Sequence, residues 1–351
     1  MLFKKRQTIG VDVGSGCIKI VRINDTKTGK ELALFDFINT PHGAIVDGII
    51  EDRSLVVQAL EELLAKNKIK DADAVVAVAG HSSVIVKRIT IPKMTDEELS
   101  KSIRVEAEQY IPFDINDVNI DFQILGDNKF EKGQMDIILV AAKKNVLNDY
   151  VEALEIAGLL PIIVDVCHFA INNAFEMSYG VVDKECMALV NIGANSTNLT
   201  IIQGGQALFT RDTPIGGNVH TEMLMSEFDL NLEDAERAKR GLSVDKATPE
   251  QIINTILNSS EEIFADIQRS MDFFRSSISD EEITKVVLSG GVSLTKGFKE
   301  ALSERIVMPV ELLDPFKNLT ISPKLDEHFI KDMAPLGVVA TGLALRRAGD
   351  K

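Results

Sequence analysis

The chain has 351 residues and a mass of 38.5 kDa, with 45% hydrophobic and 26% charged side chains, a globular mixture that excludes wholesale disorder and fibrous repeats. At roughly 150 residues per domain, that length predicts two or three domains. The 53 acidic and 38 basic side chains give a net charge of -15, which repels a phosphate backbone and excludes general nucleic-acid binding, though not a single nucleotide whose phosphates are held locally.

The N-terminal MLFKKRQTIG carries charges with no apolar core behind them, so it is not a signal peptide. Lys4, Lys5 and Arg6 read as a solvated start, with contact to anionic lipid as the alternative. Thr8–Val13 is an apolar strand that runs into Gly14-Ser15-Gly16, and a second strand resumes over Cys17–Ile23. A strand is predicted near Leu32–Phe37, a helix over Leu55–Ala65, and a buried parallel strand over Ala74–Ala79. Val84–Ile91 alternates like a strand; Thr95 and Glu98 then form a capping box that opens a helix ending at Pro112. Strands at Val118–Leu125 and Met135–Ala142 and a helix over Asn145–Ala157 complete a compact α+β unit over 84–165. From Cys186 the opening pattern returns. ALVNIGANSTNLTII is again strand, glycine turn, strand, 179 residues after the first copy, an offset that predicts two similar halves rather than a solenoid. Pro249–Ser277 carries a long helical pattern, Lys285–Ser289 is a strand feeding Gly290-Gly291, and PLGVVATGLALRR reads as a closely packed small-residue helix. No apolar run approaches the roughly 20 residues that span a bilayer. Cys17, Cys167 and Cys186 lack CxxC spacing and five scattered histidines lack ligand spacing, which fits a reducing cytosol and gives no zinc site.

Four elements carry chemistry. A glycine turn between two strands presents consecutive N–H groups and admits a phosphate without a Cβ clash. Two such turns, with the hydroxyls of Ser15, Ser196 and Thr197, would clamp a polyphosphate; ordinary hairpins are the alternative. Neither is a P-loop or a dinucleotide motif, because a strand follows each. Asp12, at its strand end, is placed to hold waters on Mg²⁺, and Lys19 either reaches phosphate oxygens or is a surface lysine. Gly290 and Gly291, with Ser293 beyond, permit close approach of a purine. Glu236 and Lys239 share a helix face, as ribose contacts or as an i,i+3 ion pair.

In this order the elements resemble the actin/Hsp70/sugar-kinase superfamily, an α/β actin-like ATPase fold of two domains. DVGSGCIK is similar to the phosphate-1 turn of actin at Asp12, Gly14, Ser15, Gly16 and Lys19, and NIGANST to the phosphate-2 turn of the cell-division protein FtsA at Gly193, Asn195 and Thr197. The inserted unit with EAEQYIPFD and the stop at Lys351 resemble the PilM family of type IV pilus assembly proteins.

The resemblance implies an actin-like domain 1 over 1–83 (subdomain 1A, completed by 166–183 and 334–351), subdomain 1C over 84–165, and domain 2 over 184–333. It implies ATP with Mg²⁺ in the cleft, contacted by Asp12, Gly14, Ser15, Gly16, Cys17, Lys19, Gly193, Asn195, Ser196, Thr197, Gly216, Gly217, Glu236, Lys239, Gly290, Gly291 and Ser293. It implies a cytoplasmic scaffold at the inner face of the inner membrane, binding the N-terminal peptide of PilN in a groove between 1A and 1C alongside other platform proteins, with indirect membrane contact. An FtsA-like filament-forming division protein and a slow ATPase powering assembly are the rivals. Where the superfamily usually has aspartate at the start of phosphate-2, this chain has Asn191, which supplies no base, so hydrolysis is expected to be slow or absent. Asp165 is read as a helix N-cap, with orientation of the attacking water as the alternative.

Overall fold

A computed structural model describes residues 7–128, 131–182 and 185–350. Lys4, Lys5 and Arg6 and the boundary expected at 183/184 lie outside the described residues.

The first sheet forms from β1 (Thr8–Val13), β2 (Cys17–Thr26) and β3 (Gly29–Asn39), an antiparallel meander whose first turn is the predicted glycine turn. A small ribbon, β4 (Ile45–Val46) with β5 (Ile49–Ile50), precedes α1 (Arg53–Lys66), and β6 (Asp73–Val78) joins β1 in parallel. The predicted buried strand is therefore present, apolar on both faces because helices cover both.

The chain then leaves this sheet. β7 (Val84–Pro92), α2 (Asp96–Glu108), β8 (Val118–Asp127) and β9 (Gln134–Lys143) form a three-stranded sheet of order β7-β9-β8. The Thr95–Glu98 capping box opens α2, whose Leu99, Ile103 and Ala107 cover Ile137, Leu139 and Ala141 of β9. The chain returns with α3 (Lys144–Ile156) and β10 (Leu160–Val166), which pairs with β6 in parallel at the edge of the first sheet, giving the order β10-β6-β1-β2-β3, with the short strand Thr320–Ile321 added beyond β3. Val146, Tyr150, Ala153 and Leu154 of α3 pack with Ile9, Val11, Leu60 and Leu63. The unit expected over 84–165 therefore contains two pieces: 84–143 folds around its own sheet, and 144–165 belongs to the first sheet. The apolar stripe of α3 is visible in the sequence; which sheet it covers is not.

After α4 (Cys167–Tyr179) the second sheet repeats the plan. β11 (Cys186–Ile192), β12 (Thr197–Gln203) and β13 (Gln206–Thr213) form a meander. The helices α5 (Asn218–Phe228), α6 (Leu232–Lys239), α7 (Pro249–Ser259) and α8 (Glu261–Ser277) follow, then β14 (Ile283–Ser289), α9 (Phe298–Ile306) and β15 (Val310–Leu312), in sheet order β13-β12-β11-β14-β15. The long helical pattern over 249–277 is two helices broken at Ser260, whose buried hydroxyl turns to His220 at 2.9 Å. β16 (Thr320–Ile321), α10 (Glu327–Asp332) and α11 (Val338–Leu345) close the chain. Between the sheets, α4 and α11 share one apolar cluster with Val75 and Ala77 of the first sheet and Met187, Leu189 and Val287 of the second. Both glycine turns lie at the ends of strands that face this layer.

Candidate functional site

In the first turn the Gly14 N–H donates to Cys17 O at 3.2 Å. Thr40, just past β3, braces it: its Oγ1 donates to Gly14 O at 2.6 Å and its N–H to Gly16 O at 3.1 Å. Asp12 and Lys19 are register partners on β1 and β2, and the Lys19 ammonium donates to Asp12 Oδ2 at 2.9 Å with both side chains 12% exposed. Burial alone would lower the Lys19 pKa, but the Asp12 carboxylate outweighs it and holds the ammonium above its ordinary value. Lys19 is thus a fixed cation under the turn, which settles the alternative of a surface lysine. Burial pushes the Cys17 thiol up, partly offset by Lys19.

The second turn is closed by Gly193 N–H to Ser196 O at 2.9 Å. The segment before α5 lies against it. Gly217 N–H donates to Gly193 O at 2.9 Å, Asn218 N–H to Ala194 O at 2.8 Å, and Thr197 Oγ1 to Ile215 O at 2.8 Å. A Cβ on Gly216 would stand 2.7 Å from the carbonyl oxygens of Gly193 and Ala194, so glycine is required by this approach. Ser196 is part of the turn itself. Asn195 accepts from Asn218 Nδ2 and donates across the cleft to Ile45 O at 3.1 Å.

The two turns meet. A Cβ on Gly16 would lie 2.9 Å from the Cβ of Ala194, so Gly16 and the Gly193–Ser196 turn approach each other closely where the two halves face. Glu236 and Lys239 on α6 pair at 2.8 Å, and Thr221 of α5 joins them, donating to Glu236 at 2.6 Å and lying 2.6 Å from Lys239 Nζ. The i,i+3 pair is therefore real and stands beside Gly217. Burial raises the Glu236 pKa, but Lys239 and Thr221 hold it below the ordinary range. Gly290 has φ +86°, and a side chain there would overlap Ile192 O. Gly291 begins a single 3-10 turn to Leu294, ahead of α9, and Ser293 Oγ donates to Gly290 O at 2.6 Å. Across the mouth, Arg240 donates to Asn39 Oδ1 at 3.1 Å.

Asp165 is on the edge strand β10, two strands from β1. The N-cap of α4 is Val166, without a side-chain cap, so the reading of Asp165 as N-cap is corrected. Its Oδ1 accepts from Val166 N–H at 2.8 Å and its Oδ2 stands 3.6 Å from Arg346 Nε. Burial raises its pKa, partly offset by Arg346. Asn191 ends in side-chain bonds to Asn198 and Ser289. Thr40, Thr221 and Arg240 escape sequence reasoning, because no local pattern shows that Thr40 meets Gly14, Thr221 meets Glu236 or Arg240 meets Asn39. Only the sequence ERAKR around Glu236 and Lys239 carries a signal for Arg240.

His220, in the first turn of α5, is fully buried; its Nε2 bonds Ser260 and its Nδ1 makes no hydrogen bond. Burial, then Lys239, lowers its pKa to about 4. A histidine held neutral in the fold contributes stability present above its unfolded value, about 6.5, and lost as pH falls towards the folded one. Between pH 6.5 and 4 the chain is expected to lose roughly 3 kcal/mol that a His220→Gln variant does not lose, measured by urea unfolding across that range.

Two meander-containing α/β halves joined through α4 and α11, with a glycine turn of each half meeting in the cleft between them, define an actin-like ATPase fold. The ethanolamine utilization protein EutJ from Carboxydothermus hydrogenoformans shares it, at 16% identity and TM-score 0.60 over 98% of this chain and 90% of that one. Residues 10–348 match the family model of type IV pilus assembly protein PilM, and the chain belongs to that family. A chain of a PilM-PilN type IV pilus biogenesis complex is similar at 28% identity and TM-score 0.85, covering 98% of this chain and 99% of that one. Cell division protein FtsA of Bacillus subtilis (strain 168) is 26% identical over 258 residues, 65% of this chain and 55% of that protein. The chain thus spans about half the length of this curated relative.

Proposed function

We propose that this protein is a nucleotide-dependent scaffold of a type IV pilus assembly platform, cytoplasmic at the inner face of the inner membrane, which takes the N-terminal peptide of PilN between its first sheet and its inserted unit. The observation that carries the nucleotide half is the meeting of the two glycine turns over the buried Asp12–Lys19 pair. Turn N–H groups and Lys19 suit a polyphosphate, and no side chain of Gly14, Gly16 or Gly193 obstructs it. Among the described residues no group of three or more His, Cys, Asp or Glu is arranged to hold a metal. A single carboxylate, Asp12, suits Mg²⁺ held through its waters. Glu236 and Lys239 would face the ribose, and Gly290, Gly291 and Ser293 the base. The partner half is supported by the similarity to a PilM-PilN complex chain. No helix among the described residues is long and apolar enough to cross a membrane. Membrane contact is, in this proposal, indirect, through platform proteins.

The test is thermal unfolding with and without ATP and Mg²⁺. Ligand at 100 times its dissociation constant adds about 2.7 kcal/mol, read as a rise of several degrees. Asp12→Ala also strands buried Lys19, so the quantity compared is the ATP-induced rise in each variant, not the absolute Tm; it should shrink and lose its Mg²⁺ dependence. An unchanged wild-type Tm at millimolar ATP removes the nucleotide half. The FtsA similarity favours a second reading, filament formation, which ATP-dependent sedimentation distinguishes.

A further inference from the structure

The root of the second turn carries a row of polar side chains that crosses four strands. Asn191 on β11 is the register partner of Asn198 on β12, and Asn198 that of Asp212 on β13; on its other side Asn191 partners Ser289 of β14. Strand alternation puts all four on the face of Leu189, Ile202 and Val287, which packs towards α4. They are joined end to end. Ser289 Oγ donates to Asn191 Oδ1 at 3.2 Å, Asn191 Nδ2 to Asn198 Oδ1 at 3.1 Å, and Asn198 Nδ2 to Asp212 Oδ1 at 2.6 Å. Asp212 also accepts from His168 Nε2 at 2.9 Å and from the backbone N–H of Gly80, where the chain leaves β6 for the inserted unit. His168 Nδ1 meets Thr200 Oγ1 at 2.7 Å.

The row has a direction, and one residue sets it. An ionised carboxylate only accepts hydrogen bonds. Asp212 therefore draws the amide nitrogen of Asn198, which turns the Asn198 oxygen towards position 191. Position 191 must then donate: asparagine does, and an ionised aspartate cannot. Burial would raise the Asp212 pKa, but His168, Asn198 and Gly80 hold its carboxyl below the ordinary range, so at neutral pH it is charged.

We propose that Asp212 is the positioning residue of the second turn: its charge fixes the direction of the amide row, obliges a donor at 191, and so moves the carboxylate expected at the end of β11 two strands away to β13. The inference deepens the nucleotide reading and rests on it only for the turn's role in phosphate binding; the row is tested without any ligand.

The test is a charge swap read by thermal unfolding at pH 7. Asn191→Asp sets a carboxylate against Asn198 Oδ1 and should lower Tm by several degrees. Asp212→Asn should lower it less, because the new amide still offers an oxygen to Asn198. In the double variant N191D/D212N every partner is satisfied again with the row reversed. The carboxylate at position 191 accepts from Asn198 and Ser289; the new amide nitrogen at 212 donates to Asn198 Oδ1 and to Nε2 of a His168 whose proton has moved to Nδ1 and is donated to Thr200 Oγ1, while the new amide oxygen accepts from the Gly80 N–H. The double variant should therefore unfold well above Asn191→Asp alone, a rescue that loss of packing at either site cannot produce. A double variant no more stable than Asn191→Asp, or one whose shift equals the sum of the two single shifts, overturns the proposal. Adding ATP and Mg²⁺ to wild type alongside separates the two failures: no shift there removes the nucleotide reading, while the swap still decides the direction of the row.

Discussion

Gly342→Leu is expected to leave little folded protein at 37 °C, seen as loss of the cooperative thermal transition. A Cβ on Gly342 would overlap the carbonyl oxygen of Ala170, and the atom it meets is backbone of α4, which no rotamer change removes. On the other side of α11, a Cβ on Gly10 would overlap Ala340 O, so the helix is pressed against β1 as well. With Val338, Val339 and Leu343 in the layer between the sheets, α11 has no free direction in which to retreat. Overpacking a core commonly costs about 1–3 kcal/mol where neighbours can shift. Here one added side chain separates α11 from α4, and the loss is expected to approach the roughly 5–15 kcal/mol that holds a protein folded. Gly342→Ala is the graded control and should also destabilise. Gly349→Ala, with nothing within 4 Å, should lower Tm much less, its remaining cost being φ +92°.

The turns are readable in the sequence because their causes are local. Gly14-Ser15-Gly16 and Gly193–Ser196 each sit between strands whose alternation is visible within a few residues, and the 179-residue offset pairs them. What escapes depends on register or on remote contact. The amphipathic stripe of α3 shows that it covers something, but Tyr150 and Leu154 find the first sheet only because β10 pairs with β6. The break between α7 and α8 has no Gly or Pro to announce it; buried Ser260 ends one helix and begins the next. Asp212 reads as an ordinary strand residue until β13, β12 and β11 are laid side by side. Lys19 is undecided in sequence because only its pairing opposite Asp12 shows that it points inward. Asp165 reads as a cap because it is a carboxylate preceding a helix, and its neighbour Val166 occupies the cap position instead.

Excising residues 84–143 is expected to abolish capture of a PilN N-terminal peptide while leaving the ATP-induced rise in Tm in place. The cut follows the structure: Lys143 N–H donates to Ser83 O at 3.0 Å, so the two ends are adjacent and a short glycine link joins them. Removal of 84–165 would instead take α3 and β10 out of the first sheet and expose Leu60, Leu63 and Val76, and that variant should not fold. The shorter excision gives up contacts of Val84 and Ala142 with the first core and the bond from Thr210 Oγ1 to Val86 O, a moderate loss. The cleft residues all lie outside it. An extended peptide gains affinity from main-chain bonds to a strand edge and specificity from side-chain pockets. A net charge of -15 disfavours an acidic ligand, so aliphatic anchors should dominate binding. The readout is fluorescence anisotropy of a labelled peptide, without membrane. A photocrosslinking peptide on the intact chain gives the second measurement, expected to label residues of the inserted unit and of α1 or α3 facing it. If the excised protein shows the ATP response and still binds the peptide with wild-type affinity, or if crosslinks on the intact chain fall only in the second half, the partner site lies elsewhere.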